Sequence, residues 1–190
     1  ASEELSGSVT ADGAWRSLRL HALRVAGRAE VASAECLAWR RSMDDEHPER
    51  AWADAELALD FALAGDFASG RRVAEPWLDR ALSPVPASRL RLAEALLRSS
   101  RGDHAVAAAA LESALQLDRS LDPRSALGQP RMLAVAIELA DEAVSSDARS
   151  AAIRLHEIAL ELGGKGSVRL ALLERLAALS RADAIDLLER

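Results

Sequence analysis

Tyrosine and asparagine are missing from this 190-residue chain, phenylalanine occurs twice, and the aromatic share is 3%. No stretch alternates apolar with polar residues long enough to make a half-buried strand. A single cysteine, Cys36, excludes an internal disulfide framework. Lysine is reduced to one residue, Lys165, and 24 basic against 30 acidic side chains leave a net charge of -6. Both halves are acidic: residues 1–95 hold 12 basic and 16 acidic side chains, residues 96–190 hold 12 and 14. That balance excludes the basic footprint of a nucleic-acid binder. No apolar run reaches the roughly 18 residues of a membrane span, and no signal-like segment is present. A cytoplasmic location is the expectation, with a processed periplasmic chain as the alternative. The missing initiating Met and the helical pattern at the end read as a piece cut from a longer protein.

What is present is alanine and leucine. Hydrophobic residues make up 49% of the chain, and these two strong helix formers carry most of that share. An all-α protein follows. The Ala and Arg bias also reads as the mark of a GC-rich bacterial genome. Periodicity is helical throughout; Val168, Leu172, Leu176 and Leu179, for example, form one apolar stripe. The breaks are short: "DDEHPE" at 44–49, "SPVP" at 83–86, "LDPRSALGQP" at 121–130 and "GGKGS" at 163–167. Proline marks the first three and glycine the fourth.

Glycine also recurs within the blocks these breaks define. Gly27, Gly65 and Gly102 are 38 and 37 residues apart, the mark of a repeat architecture. Block two holds Asp54, Leu57, Ala58 and Phe61 in its first helix, then Gly70 and Ala74 in its second. Block one offers Ala32, Cys36 and Trp39, and block three Ala107, Leu111 and Ala114. Block four supplies Ala136, Leu139, Ala140 and Ala143, followed by Ala152, His156 and Ala159. At these spacings the blocks resemble tetratricopeptide (TPR) repeats, pairs of antiparallel helices joined by a short turn. The resemblance implies a TPR-like α-solenoid of about nine to ten helices wound into a right-handed superhelix. Repeats are expected over 12–46, 49–83, 86–119 and 130–163, with a partial one over 166–190 and a flexible extension over 1–11.

Several motifs have plain readings in this frame. Arg101-Gly102-Asp103 matches an adhesion tripeptide, but it falls at the turn within block three. Gly102 would end one helix in a left-handed conformation, and Asp103 would cap the next. "GGKGS" lacks the spacing and the preceding strand of a phosphate loop. His21, His47, His104 and His156 show no paired metal-ligand spacing. Cys36 and His156 take core positions. Pro76 should kink the helix "FASGRRVAEPWLDRAL". No catalytic residue, metal site or cofactor is expected.

Tryptophan placement is the remaining signal, because Trp15, Trp39, Trp52 and Trp77 all lie in the first 77 residues. Trp39 and Trp77 share a repeat position and should pack between helices. The resemblance places Trp15 and Trp52 on the concave face, with Leu59 and Leu63 beside Trp52 and His21 with Arg24 approaching from block one. Trp52 is a candidate partner anchor. A chaperone carboxylate clamp is not expected, because the corresponding inner positions are Ser17, Ala55 and Ile137. The groove should be apolar with scattered charge, suited to an amphipathic helix or an extended apolar peptide. The expected function is a non-catalytic protein-interaction scaffold. The alternative is a regulatory or assembly region of a larger signalling protein, self-associating through apolar C-terminal residues such as Ile185, Leu187 and Leu188.

Overall fold

Tight turns set the helix boundaries. Gly65 and Gly102 end their helices at φ +78° and +82°, a region glycine enters without the steric cost a Cβ imposes. In each turn an amide just beyond the helix bonds back into its last turn. Asp66 N–H donates to the Phe61 carbonyl at 2.9 Å, and Asp103 N–H to that of Arg98 at 3.0 Å. The same bond recurs at Gly27, from Arg28 to Leu23 at 2.9 Å, and again from Ala148 to Ala143 at 2.8 Å. The residue in the left-handed position of that fourth turn is Asp147, with φ 55°. A repeat read from glycine alone therefore misses it.

The computed structural model describes residues 2–121, 129–163 and 166–188, with side chains over 12–121, 131–163 and 166–181. Among them are nine α-helices and no strand: α1 Ser2–Val25, α2 Ala29–Arg41, α3 Arg50–Leu63, α4 Phe67–Ala74, α5 Pro84–Ser99, α6 His104–Arg119, α7 Gln129–Ser145, α8 Arg149–Glu161 and α9 Ser167–Leu188. The first four blocks are thus helix pairs and the fifth a single helix. Each helix packs on its successor within a pair, and α1–α3, α3–α5 and α5–α7 also touch. The odd-numbered helices from α1 to α7 therefore lie side by side, while α6 and α8 touch in the same way. Among the described residues no helix is long and apolar enough to cross a membrane.

Small residues let the pairs close up. The main core joins Ala55, Ala58 and Ala62 of α3 to Leu92, Ala93 and Leu96 of α5, and continues through Leu111 and Ala114 to Leu139 and Leu155. At Gly70 an added Cβ would sit 3.2 Å from the Leu97 side chain, so α4 approaches α5 closely there and alanine would require Leu97 to give way by a few tenths of an ångström. A second core gathers Leu20, Ala32, Cys36, Trp39, Trp52, Ala53, Leu57 and Val85 around the first two pairs. His156 is fully buried in the core, with Nδ1 2.8 Å from the Ala152 carbonyl and Nε2 without a hydrogen-bond partner.

Three local expectations change. The helix of block two does not kink at Pro76; the α-helix stops at Ala74 and a single 3-10 turn, Glu75–Trp77, follows. Pro76 has no N–H to continue the ladder, and a tighter turn absorbs the loss. Asp103 makes no side-chain cap bond, whereas Asp66 does, accepting from the Ser69 amide at 3.1 Å. Residues 2–11, read as an extension, belong to α1. Lys165, most of the 121–130 loop and the side chains of Ile185, Leu187 and Leu188 lie outside the described residues.

The turn geometry is testable. A Cβ at Gly102 would meet nothing within 4 Å, so Gly102→Ala carries only the backbone cost, about 1 kcal/mol. Asp147→Gly should stabilise by up to about 1 kcal/mol for the converse reason. Urea unfolding of both variants measures the pair, and a neutral Gly102→Ala would refute the account.

Candidate functional site

Ser17, His21 and Arg24 recur at i, i+4 and i+7 on α1, one face of that helix. Opposite them α3 presents Glu56 and Asp60, again four residues apart. The helices meet through these side chains. Arg24 Nη1 donates to Glu56 Oε2 at 2.5 Å, while its Nη2 donates to Asp60 Oδ2 at 2.9 Å. Ser17 donates its hydroxyl to Glu56 Oε1, and Ser33 of α2 donates to Asp60 at 3.1 Å. From the other side, Arg89 of α5 donates through Nε to Glu56 Oε1 at 3.2 Å. The Arg24, Glu56 and Arg89 side chains are only 6%, 2% and 2% exposed. Three helices of one layer are thereby tied through a single carboxylate.

Charge follows from that geometry. Burial pushes the Glu56 carboxyl up, but Arg24, Arg89 and the Ser17 hydroxyl outweigh it and hold its pKa below the usual range. Burial opposes the Arg24 charge, yet Glu56 and Asp60 prevail and its pKa is raised. His21 goes the other way: burial first, then the Arg131 and Arg89 charges, lower its pKa. Its Nδ1 is buried with no hydrogen-bond partner. Arg131, at the start of α7, is also lowered, by burial and then by Arg24.

A cleft of about 840 Å³ opens above this network. Val25, Ala29, Leu63 and Ala64 line it with apolar surface, and His21, Arg24, Asp60 and Arg131 supply the polar groups. Of the residues expected on the concave face, His21, Arg24 and Leu63 meet here. Trp52 and Leu59 do not: they are 8% and 0% exposed, leaving almost no surface for a partner. Trp52 packs over Gly13, where an added Cβ would sit 3.2 Å from the ring. Trp15 is 64% exposed and lines a separate cavity of about 330 Å³ with Arg16, Arg19, Glu35 and Trp39. Trp39 is buried, and the half-buried Trp77 donates its indole N–H to Asp54 at 3.0 Å.

Sequence reading missed Glu56, Asp60, Arg89 and Arg131. The available signal was the pair Glu56 and Asp60 inside the otherwise apolar run "AELALDFAL". The Cys36 thiol lies 3.5 Å from the Ala53 carbonyl, and burial pushes its pKa up, away from thiolate chemistry. Among the described residues no group of three or more His, Cys, Asp or Glu could hold a metal ion. No protein-family model, curated protein or solved structure matches this chain.

Glu56→Ala should cost about 3–5 kcal/mol, because it removes the carboxylate shared by two buried guanidinium groups and leaves Arg24 with Asp60 and Arg89 with Asp118. Trp52→Ala should cost a similar amount, about 3–5 kcal/mol, as a core truncation; retention of full stability by either variant would refute its assignment. The histidine sets a pH window. A lowered folded-state pKa means the unfolded chain binds the proton more readily. Stability should therefore be intact above the ordinary histidine value of about 6.5 and fall as pH drops through the folded value. Glu56 adds a further loss below about pH 4.3 for the same sign of reason. Urea unfolding across this range should show the upper limb flattened in His21→Gln.

Proposed function

We propose that this chain is a non-catalytic protein-interaction scaffold, a TPR-like array of helix pairs forming a right-handed superhelix, whose cleft takes a partner peptide or helix. The observation that carries this reading is the cleft itself. Its volume, about 840 Å³, suits several side chains of a bound segment. Its walls expose Val25 and Leu63 at 74% and 39%, while the charged network below is rigidly cross-linked. An apolar trough over a fixed polar floor is the arrangement that peptide recognition uses. The array itself is supported by four similar turns and by helix pairs whose motif alanines are buried.

One observation favours a second reading, assembly within a larger signalling protein. Helix α9 leaves Val168, Leu170 and Leu173 exposed at 42%, 59% and 45%, and an apolar face of that kind suits contact with another surface.

Panning a phage-displayed random peptide library on the chain tests the first reading. Enriched peptides should bind at least about tenfold more weakly, roughly 1.4 kcal/mol, to the double variant Val25→Glu, Leu63→Glu. Both positions are exposed, so its urea midpoint should be unchanged. Peptides that bind the variant as well as the parent would overturn the cleft as the site. For the second reading, light scattering should show a concentration-dependent dimer that Leu170→Glu, Leu173→Glu abolishes.

A further inference from the structure

Resting on the cleft as a peptide site, we propose that it selects for an acidic side chain: an Asp or Glu carboxylate flanked by apolar residues, paired with Arg131. The negative charge on the floor is already engaged. Glu56 accepts from Arg24, Arg89 and Ser17, and Asp60 from Arg24 and Ser33. Arg131 lines the same cleft and feels the attraction of Glu56 and Asp60, yet among the described residues no carboxylate forms an ion pair with it and no acceptor takes its N–H groups. Beside it lies His21, whose buried Nδ1 has no partner. A half-buried guanidinium whose N–H groups meet no carboxylate is unfavourable as it stands, and a planar carboxylate matches its paired N–H donors. His21 can donate to the same anion, since its neutral ring carries one N–H that either nitrogen may hold.

The surroundings narrow the anion's class. Val25 and Ala29 on one side and Leu63 and Ala64 on the other call for apolar residues next to the acidic one. Exposed Glu30 also lines the cleft, and a nearby negative charge repels a doubly charged phosphate more than a singly charged carboxylate. The carboxylate needed here meets Arg131 rather than Ser17, Ala55 or Ile137, so it is held from α7 and the α1 histidine.

Two blocked peptides test the pairing, acetyl-Leu-Glu-Leu-Leu-amide and its counterpart with Gln in place of Glu, which differ only in side-chain charge. Titration into the isotope-labelled chain, followed by NMR of Val25, Leu63 and His21, gives both affinities. The Glu peptide should bind at least about fivefold more tightly to the parent, the ratio falling to about one in Arg131→Gln. The Gln peptide should bind the parent and Arg131→Gln equally, which checks that the variant keeps its cleft. Equal affinity of both peptides for the parent would overturn the carboxylate preference and leave the apolar cleft standing. A preference that survives Arg131→Gln would overturn the role of Arg131. If neither peptide perturbs Val25 and Leu63, the cleft reading falls and this inference with it.

Discussion

Everything in the first three helix pairs is arranged around the burial of Glu56. An ionised carboxylate removed from water is among the costliest groups a fold can hold, and it is tolerated only when paired and fully hydrogen-bonded. Here the partners come from both neighbours of α3: Ser17 and Arg24 from α1, and Arg89 from α5. Moving any one of these helices by a residue would strand a charge. Such a network contributes little net stability compared with apolar side chains of the same volume, but it discriminates strongly between the correct arrangement and a slipped one.

That discrimination matters because the rest of the layer is built from alanine. Ala55, Ala58 and Ala62 let α3 and α5 pack closely, yet a methyl surface has few knobs to fix rotation or register. Large residues fix position elsewhere. Trp39 and Trp52 fill the second core, and Asp54 ties the region together by accepting from Arg40, Arg50 and Trp77. Polar clusters on successive turns of α3 therefore act as its locating pins, Asp54 toward α2 and the 3-10 turn after α4, Glu56 toward α1 and α5, and Asp60 toward α1 and α2.

Helix content and pairing were legible because they depend on local signals. Period, glycine turns and proline breaks marked where helices end, and the spaced alanines fell on buried faces. The fourth turn escaped because Asp147 replaces glycine there, and only backbone geometry distinguishes the two. The site was legible in part. His21, Arg24 and Leu63 follow from helix register. Trp52 and Leu59 were misplaced because an apolar residue on an inner face looks the same whether it lines a groove or fills a core. Glu56 and Arg89 were unreadable for the opposite reason, since charged residues at helical spacing normally belong to a solvated face. Only the three-dimensional meeting of α1, α3 and α5 turns them inward.

The same meeting explains why the cleft has a sign. The carboxylates Glu56 and Asp60 lie among Arg24, Arg89, Arg131 and His21, with Asp118 beside Arg89 and Glu30 at the rim. Arg24 takes the larger part of their charge because it reaches both. Burial first, and then the charges of Arg131, Arg89 and Arg24, keep a proton off His21. Arg131 cannot lose its charge in this way, because a guanidinium remains protonated under any ordinary condition. Among the described residues Arg131 is thus the arginine that lines the opening without an ion-pair partner. The electrostatic demand that organises the core ends at the surface as a preference for what enters the cleft.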